Sequence, residues 1–416
     1  MRQLKSFFTY SVGKLISAGI PFFLLPVLTA YLTPEDYGIL RLFSIYSIIL
    51  VPFISLMAPS LLSVELFTRQ SKGFSRLMSS IWPVPFVMGG LFLLLTVIFK
   101  DTLSNWLELD AEWLFLIPLI ALLTVIVETF MKMLVDLKKP IPFVTLSVSR
   151  TLVELGLTLF LVTILLWNWQ GRVMAWMFVL AVMSVIGIIY MLRNGWLSES
   201  FDKGDLRMAL AFGLPLIPHV IGRFVINQSD LIFVSKMISV EATGIYGIGY
   251  QIGFVISVAS GAFLNVFAPF MNERLANISK RKKEEIVRMS WLYILGIGAL
   301  SILVSLSAPL IFEYMLDERY AEGSRYVPWI ALAYFFWGGY SVFARYIFFL
   351  KKTRIMSYLA IFNVSCNLIL NFIFIKQFGA IGAAYATTIS FFLVFVGVSV
   401  VSNRLYPMPW FYFIKK

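Results

Sequence analysis

The sequence predicts an all-α integral membrane protein with about twelve spanning helices. Three observations carry this. Of 416 residues, 60% are hydrophobic and only 13% charged, whereas a soluble domain carries roughly a quarter charged residues, so lipid is the solvent for most of the chain. The apolar residues come in continuous runs, not in ten-residue alternating stretches. A bilayer admits only helices or closed barrels, so the runs are helices. At roughly 20 apolar residues per span, the length holds about a dozen spans, short connections and no large soluble domain.

In order, the expected spans are Phe7–Tyr31, Ile39–Leu62, Ile81–Phe99, Trp113–Leu134, Ile141–Trp167 and Val173–Leu192, then Met208–Phe233, Tyr246–Phe267, Trp291–Phe312, Val327–Phe349, Ile355–Ile375 and Ile381–Val401. The first follows Arg2 and Lys5 but is too long for a signal-peptide core and has no small-residue cleavage site before Leu32, so it reads as a retained span. Thr33-Pro34-Glu35-Asp36-Tyr37-Gly38, Lys138-Lys139-Pro140 and the stretch from Gly195 to Lys203 punctuate the connections. Cys366 and His219 are the only residues of their kinds. No disulfide framework, cysteine cluster or multi-histidine metal site is therefore expected, and no catalytic residues are assigned.

With the N-terminus placed inside, Arg69, Lys72, Arg76, Lys138, Lys139, Lys203, Lys280 to Lys283, Lys351, Lys352 and Arg354 fall in inner connections. The outer ones hold Lys100, Arg172, Lys236, Arg319 and Arg325 among acids such as Asp101, Glu108 and Asp317. The basic residues are biased about threefold, which places both termini in the cytoplasm. This bias also accounts for most of the net charge of +12. Lys280 to Lys283 reads as an inner loop facing anionic membrane lipids, and no nucleic acid partner is expected. The tryptophans sit mostly near span ends, as an interfacial belt would place them.

The halves match each other. Glu35 and Gly38 correspond to Glu241 and Gly244, Ala58-Pro59 to Ala268-Pro269, and Leu137-Lys138-Lys139 to Leu350-Lys351-Lys352. The order and near-constant spacing of these matches point to a duplication. Two six-helix lobes, residues 1–203 and 204–416, follow, related by a pseudo-two-fold axis along the membrane normal because each holds an even number of spans.

Ionisable side chains inside lipid are functional candidates by default. In the seventh span His219, Arg223, Asn227 and Asp230 fall within about 80° of one another on a helix. The fifth span carries Arg150, Glu154 and Thr158, and the eleventh carries Asn363, Asn367 and Asn371. Lys14 marks the first span, and Lys132 and Arg345 mark the fourth and tenth. Arg150 with Glu154, Glu128 with Lys132, and Arg223 with Asp230 read equally well as structural ion pairs. Lys14 and Arg345, however, have no acid at helical spacing, and an unpaired buried cation wants an anion, for which phosphate or pyrophosphate is the natural candidate. The candidate substrate-binding residues are thus Lys14, Arg150, His219, Arg223, Asn227, Arg345, Asn363 and Asn367, with Glu154 and Asp230 as ion-coupling candidates.

The sequence resembles the Wzx-type oligosaccharide flippases of the multidrug/oligosaccharidyl-lipid/polysaccharide (MOP) exporter superfamily, nearly end to end. The resemblance is carried by Ser11-Val12-Gly13-Lys14 through Leu32-Thr33-Pro34-Glu35-Asp36-Tyr37-Gly38, by Gly213-Leu214-Pro215-Leu216-Ile217-Pro218-His219, and by Asn227-Gln228-Ser229-Asp230 through Gly244-Ile245-Tyr246. It implies a MATE-like fold working by alternating access in a bacterial cytoplasmic membrane. It also implies an undecaprenyl-pyrophosphate-linked oligosaccharide as substrate, coupling to a proton or sodium gradient, no cofactor, and a polysaccharide polymerase and chain-length regulator as partners. An ion-coupled exporter of drugs or metabolites is the alternative of the same fold. An enzyme reading is disfavoured by outer connections of only about a dozen residues and the lack of a Gly-rich Lys-Ser/Thr loop.

Overall fold

The computed structural model describes residues 22, 24–197, 200–276 and 278–410, with the side chains of Arg223 and Thr353 outside the described set. All regular elements among them are helical. Ten helices are long and apolar enough to cross a membrane, and a further pair, Lys203–Gly222 and Phe224–Met237, meets at 49°. The first expected span, with Lys14, lies almost wholly outside the described residues. The chain divides into two compact units, Met1–Phe224 and Val225–Lys416.

In the N-terminal unit, α1 (Leu25–Tyr31) leads to α2 (Pro34–Ser55). Thr33 caps α2 by accepting from Asp36 N–H, while the Asp36 carboxylate accepts from Thr33 N–H at 3.0 Å, a reciprocal cap that stops one helix and starts the next. Leu56 and Met57 then break the span with φ of 43° and 57°, each at a cost of about 1–2 kcal/mol for a residue with a Cβ. The span resumes as α3 (Ala58–Thr68), and α4 (Ser71–Ile81) runs on into α5 (Pro83–Ile98). After the short α6 (Lys100–Leu107) come α7 (Leu116–Asp136), α8 (Pro140–Leu159) and α9 (Asn168–Arg193). The last turn of the α8 span, Phe160–Ile164, is π-helical. Packed between its neighbours, α7 touches α2, α5 and α9.

The helix that follows, α10 (Lys203–Gly213), belongs to this unit and packs on α3 and α4. Asp202 caps it. Hydrogen bonds from the backbone N–H groups of Asp205 and Gly204 hold the Asp202 carboxyl below the usual carboxylate range. Asp205 is 6% exposed and bridges Arg69 Nη1 at 2.7 Å and Arg76 Nε at 3.2 Å. Arg69 also holds Glu65 at 2.6 Å. At the far end of α10, Gly213 lies so close to the Leu56 carbonyl that a Cβ would collide with it. The kink in the second span and this glycine are therefore one packing feature.

The C-terminal unit holds the remainder of α11 (Ile217–Met237), then α12 (Val240–Gly253), α13 (Val255–Ala276), α14 (Lys280–Met315), a 3₁₀ stretch (Glu318–Tyr326), α15 (Val327–Phe349), α16 (Thr353–Phe378) and α17 (Ile381–Leu405). Its centre is α15, packed on α13, α14 and α17. Close approach needs Gly338, where an added Cβ would lie 2.6 Å from Ile297 Cδ1.

Two of the positions matched between the halves also share backbone conformation. Lys138 and Lys351, matched in sequence, have φ of 55° and 57°. Lys139 N–H donates to Leu134 O at 2.9 Å and Lys352 N–H to Ile347 O at 3.1 Å, the same left-handed helix ending in both units. Ser239 caps α12 through Ala242 N–H as Thr33 caps α2 through Asp36 N–H. The Ala-Pro match differs, since Pro269 lies inside the continuous α13 whereas Pro59 follows the Leu56–Met57 break.

Gly213→Ala should destabilise the detergent-solubilised protein by about 2 kcal/mol or more through overpacking, whereas Gly222→Ala, whose Cβ meets nothing within 4 Å, should be neutral or slightly stabilising; thermal melting distinguishes them. Arg69→Ala, which leaves buried Asp205 facing only the half-exposed Arg76, should lower stability by about 2 kcal/mol in the same assay.

Candidate functional site

Each unit carries a polar track through apolar surroundings, and the two differ in chemistry. That of the N-terminal unit is ionic. On α7, Lys132 Nζ is 3.8 Å from Asp136 Oδ2, one turn on. Asp136 also accepts from the Ser63 hydroxyl of α3. Lys132 thus pairs with Asp136, not with Glu128 as spacing alone suggested. Glu128 is exposed and lies in the field of Arg150 across the α7–α8 contact. Arg150 is half-buried and has no hydrogen bond or ion pair among the described residues.

Further along α8, Glu154 Oε1 is 2.8 Å from Arg172 Nη2 of α9, and Arg172 Nη1 donates to Thr158 Oγ1 at 2.8 Å. The expected Arg150–Glu154 pair is replaced by this one, because Arg172, assigned to an outer connection, is already inside α9. Arg150 is left without the acid that spacing offered it.

The track of the C-terminal unit is largely neutral. Asn363, Asn367 and Asn371, on one face of α16, are all buried. Asn371 Nδ2 donates to Asn367 Oδ1 at 3.0 Å, and Asn367 Nδ2 donates to Ser390 Oγ of α17 at 3.2 Å. The Ser229 hydroxyl of α11 donates to Asn367 Oδ1 at 3.1 Å. Next to Ser229, Asp230 is 2% exposed and accepts from the Tyr246 hydroxyl at 2.7 Å. The Tyr250 hydroxyl donates to the Asn227 carbonyl at 2.9 Å and also meets that of Tyr334. The Oδ1 atoms of Asn363 and Asn371 are buried with no hydrogen-bond partner. A buried carboxylate bonded to a tyrosine hydroxyl can hold a proton or a small hard cation.

Arg345 is a cation of this unit, set on α15. Its Nη2 donates to the Leu264 carbonyl at 3.1 Å, while its Nε is buried without a hydrogen-bond partner. No ion pair is formed by Arg345 among the described residues. Leaving charged donors unsatisfied is costly, so the site is suited to an arriving acceptor.

The remaining sequence candidates are placed less closely. His219 is exposed. The division between units falls inside its stripe, with His219 on one side and Asn227 and Asp230 on the other. The Arg223 side chain and Lys14 lie outside the described residues. Sequence reasoning missed Arg172, Ser229, Ser390, Tyr246, Tyr250 and Tyr334, and also Arg41 of α2, whose Nε is buried without a partner. The tyrosines read as apolar in a hydropathy scan, and Arg41 and Arg172 sat too near span ends to be counted as buried.

The model of the family described as polysaccharide biosynthesis protein matches residues 3–275, and the MatE model matches residues 215–373. An uncharacterised membrane protein of Haemophilus influenzae is 24% identical over all of this chain and 98% of its own length. The Lsg locus putative protein 1 of the same organism is 22% identical over 86% of this chain and 87% of its own length. Among solved structures, the inward-facing form of a multidrug resistance MATE transporter of the MOP superfamily superposes with a TM-score of 0.69 at 12% identity, covering 95% of this chain and 94% of its own. A MOP superfamily transporter from Pyrococcus furiosus, described by a reversed polarity of its binding pocket that suggests a different function, gives 0.65 at 13% identity over 96% and 95%. The chain belongs to the family of polysaccharide biosynthesis proteins, multi-span membrane transporters of the MOP superfamily.

Proposed function

We propose that the protein is a flippase that moves undecaprenyl-pyrophosphate-linked oligosaccharide repeat units from the inner to the outer leaflet of a bacterial cytoplasmic membrane by alternating access. The observation that carries this reading is the surplus of cations inside the spans. Arg150 and Arg345 form no ion pair among the described residues, Arg150 meeting Glu128 only at longer range, and a pyrophosphate supplies what two guanidinium groups lack. The match of residues 3–275 to the polysaccharide biosynthesis family supports the same substrate class. We read the protein as a carrier and not as an enzyme, with the polymerase and chain-length regulator of the same polymer as its partners.

On the positive-inside bias both termini are cytoplasmic. The connections at Arg69–Ser71, Lys138–Lys139 and Lys351–Lys352 then face the cytoplasm, and those at Thr33 and Leu165–Trp167 face outward. Lys14, Arg150, Arg223 and Arg345 would contact the pyrophosphate, with His219, Asn227, Asn363 and Asn367 lining the same route. For coupling to a proton or sodium gradient we favour Asp230, which is 2% exposed and accepts from the Tyr246 hydroxyl, over Glu154, which is held by Arg172. An exporter of drugs or metabolites is the second reading, favoured by the MatE match over residues 215–373 and by that same buried carboxylate.

In proteoliposomes, wild-type protein should flip a fluorescent polyprenyl-pyrophosphate oligosaccharide, and Arg150→Ala and Arg345→Ala should each slow flipping by about tenfold or more while remaining folded. Transport of a soluble organic cation with no flipping of any anionic glycan lipid would establish the exporter instead. Asp230→Asn should remove the dependence of flipping on an imposed proton or sodium gradient, measured as equal rates with and without it, while binding of the glycan lipid persists.

A further inference from the structure

At the end of the N-terminal unit that carries Thr33 and Leu166, a second polar cluster lies beyond the mid-span cations. Arg150 is ten residues into α8, about 15 Å from its start, and Glu154 is about 6 Å further on. Arg172 lies four residues into α9 and Arg41 seven residues into α2, so both are within about 10 Å of the opposite end of the unit. On the orientation proposed above, this is the outer end. The helices meet through the Phe43 and Trp169 rings, with centroids 6.4 Å apart. The Tyr37 hydroxyl, one turn before Arg41, lies in the field of both Arg41 and Arg172.

The bonding of these groups is incomplete. Arg172 presents one fork nitrogen to Thr158 and the other to Glu154. The hold on the carboxylate is thus through one nitrogen and not the full two-nitrogen fork, and a phosphate oxygen fits the same position. The side chains of Arg172 and Glu154 are 23% and 16% exposed, so the pair is shielded yet reachable. Arg41 has no acidic partner among the described residues, and its Nε is buried with none at all. Two guanidinium groups thus flank the Tyr37 hydroxyl while only one of them is paired with a carboxylate, leaving a net positive site with an unmet donor.

We infer that Arg41 and Arg172 form an anion-binding station for the phosphate or pyrophosphate group of a lipid-linked substrate, and that Glu154 is its resident counter-ion, displaced when the anion arrives. This rests on the flippase reading for the identity of the lipid, not for the chemistry of the site. Glu154 then works as a return device. It competes with the substrate head, so the head does not remain trapped on two arginines at the point of release. Thr158 holds the Arg172 fork in place during the exchange.

The test is binding of inorganic pyrophosphate to the full chain in detergent, measured by calorimetry, with thermal melting as the folding control. Removing the competing charge in Glu154→Gln should tighten binding about tenfold, and Arg41→Gln and Arg172→Gln should each weaken it about tenfold. Affinity unchanged or weakened in folded Glu154→Gln, or unaffected by Arg41→Gln, overturns the proposal. Should Glu154→Gln fail to fold, Arg41→Gln and Thr158→Val, which leave the acid intact, carry the test, with weakening expected in both and no change overturning it. A polyprenyl pyrophosphate that binds more tightly than the inorganic ion, with the same order among variants, assigns the station to a lipid headgroup. Equal affinities assign it to free pyrophosphate and overturn the lipid assignment. Wild-type flipping with no response of pyrophosphate binding to Glu154→Gln overturns the station alone. The expected order of binding with no flipping overturns the flippase reading alone.

Discussion

The hydrocarbon of a bilayer offers no hydrogen bonds, and the rest of this structure is arranged around that lack. Every backbone amide within it must be satisfied along its own helix, so the spans are long and continuous. Where a span breaks, as at Leu56–Met57, the freed groups lie against another part of the same unit, here Gly213 at the end of α10. Where a helix ends at the interface, it ends by a defined turn that reuses its last carbonyls, as at Lys138 and Lys351.

The same lack sorts the side chains, and the two units meet it in different ways. In the C-terminal unit, Asn367 is tied to Asn371, Ser229 and Ser390 by hydrogen bonds between neutral groups, with one carboxylate, Asp230, capped by a tyrosine hydroxyl. Such a network of neutral donors and acceptors fixes the positions of its members. In the N-terminal unit the polar groups are charged and their pairing is unequal, since Glu154 and Asp136 each satisfy one cation while Arg150 and Arg41 form no ion pair among the described residues. The polar side chains of the two units thus form a largely neutral network in one and a largely ionic one in the other.

Much of the fold was legible in the sequence because hydropathy reports the solvent directly. The spans from Trp113 to Leu134 and from Val327 to Phe349 coincide with α7 and α15 to within a few residues. The Leu-Lys-Lys match was legible as well, and the shared left-handed φ of Lys138 and Lys351 gives it a structural basis. Boundaries were less legible where charged residues continue a helix beyond the lipid: α14 begins at Lys280, eleven residues before the expected span at Trp291. At the candidate site, helical spacing put Asn363, Asn367 and Asn371 on one buried face of α16, and it also singled out the buried Asp230. It misjudged partners, because spacing along one helix cannot see the next. Glu154 met Arg172 from α9, and Lys132 met the acid one turn after it instead of the one a turn before.

The helix α14 has 36 residues, about 54 Å of rod where the hydrocarbon is about 30 Å thick. Its first turns, carrying Lys280, Arg281, Lys282 and Lys283, must therefore project from the lipid, and Arg281 is indeed 90% exposed in its side chain. A rod of that length is a lever. Tilting it by about 15° about its far end carries the basic tip through roughly 14 Å, about twice the shift at Ile297 halfway along, so a repacking of α14 against Gly338 would be displayed, enlarged, at the membrane surface as the displacement of four positive charges by more than the width of a lipid headgroup.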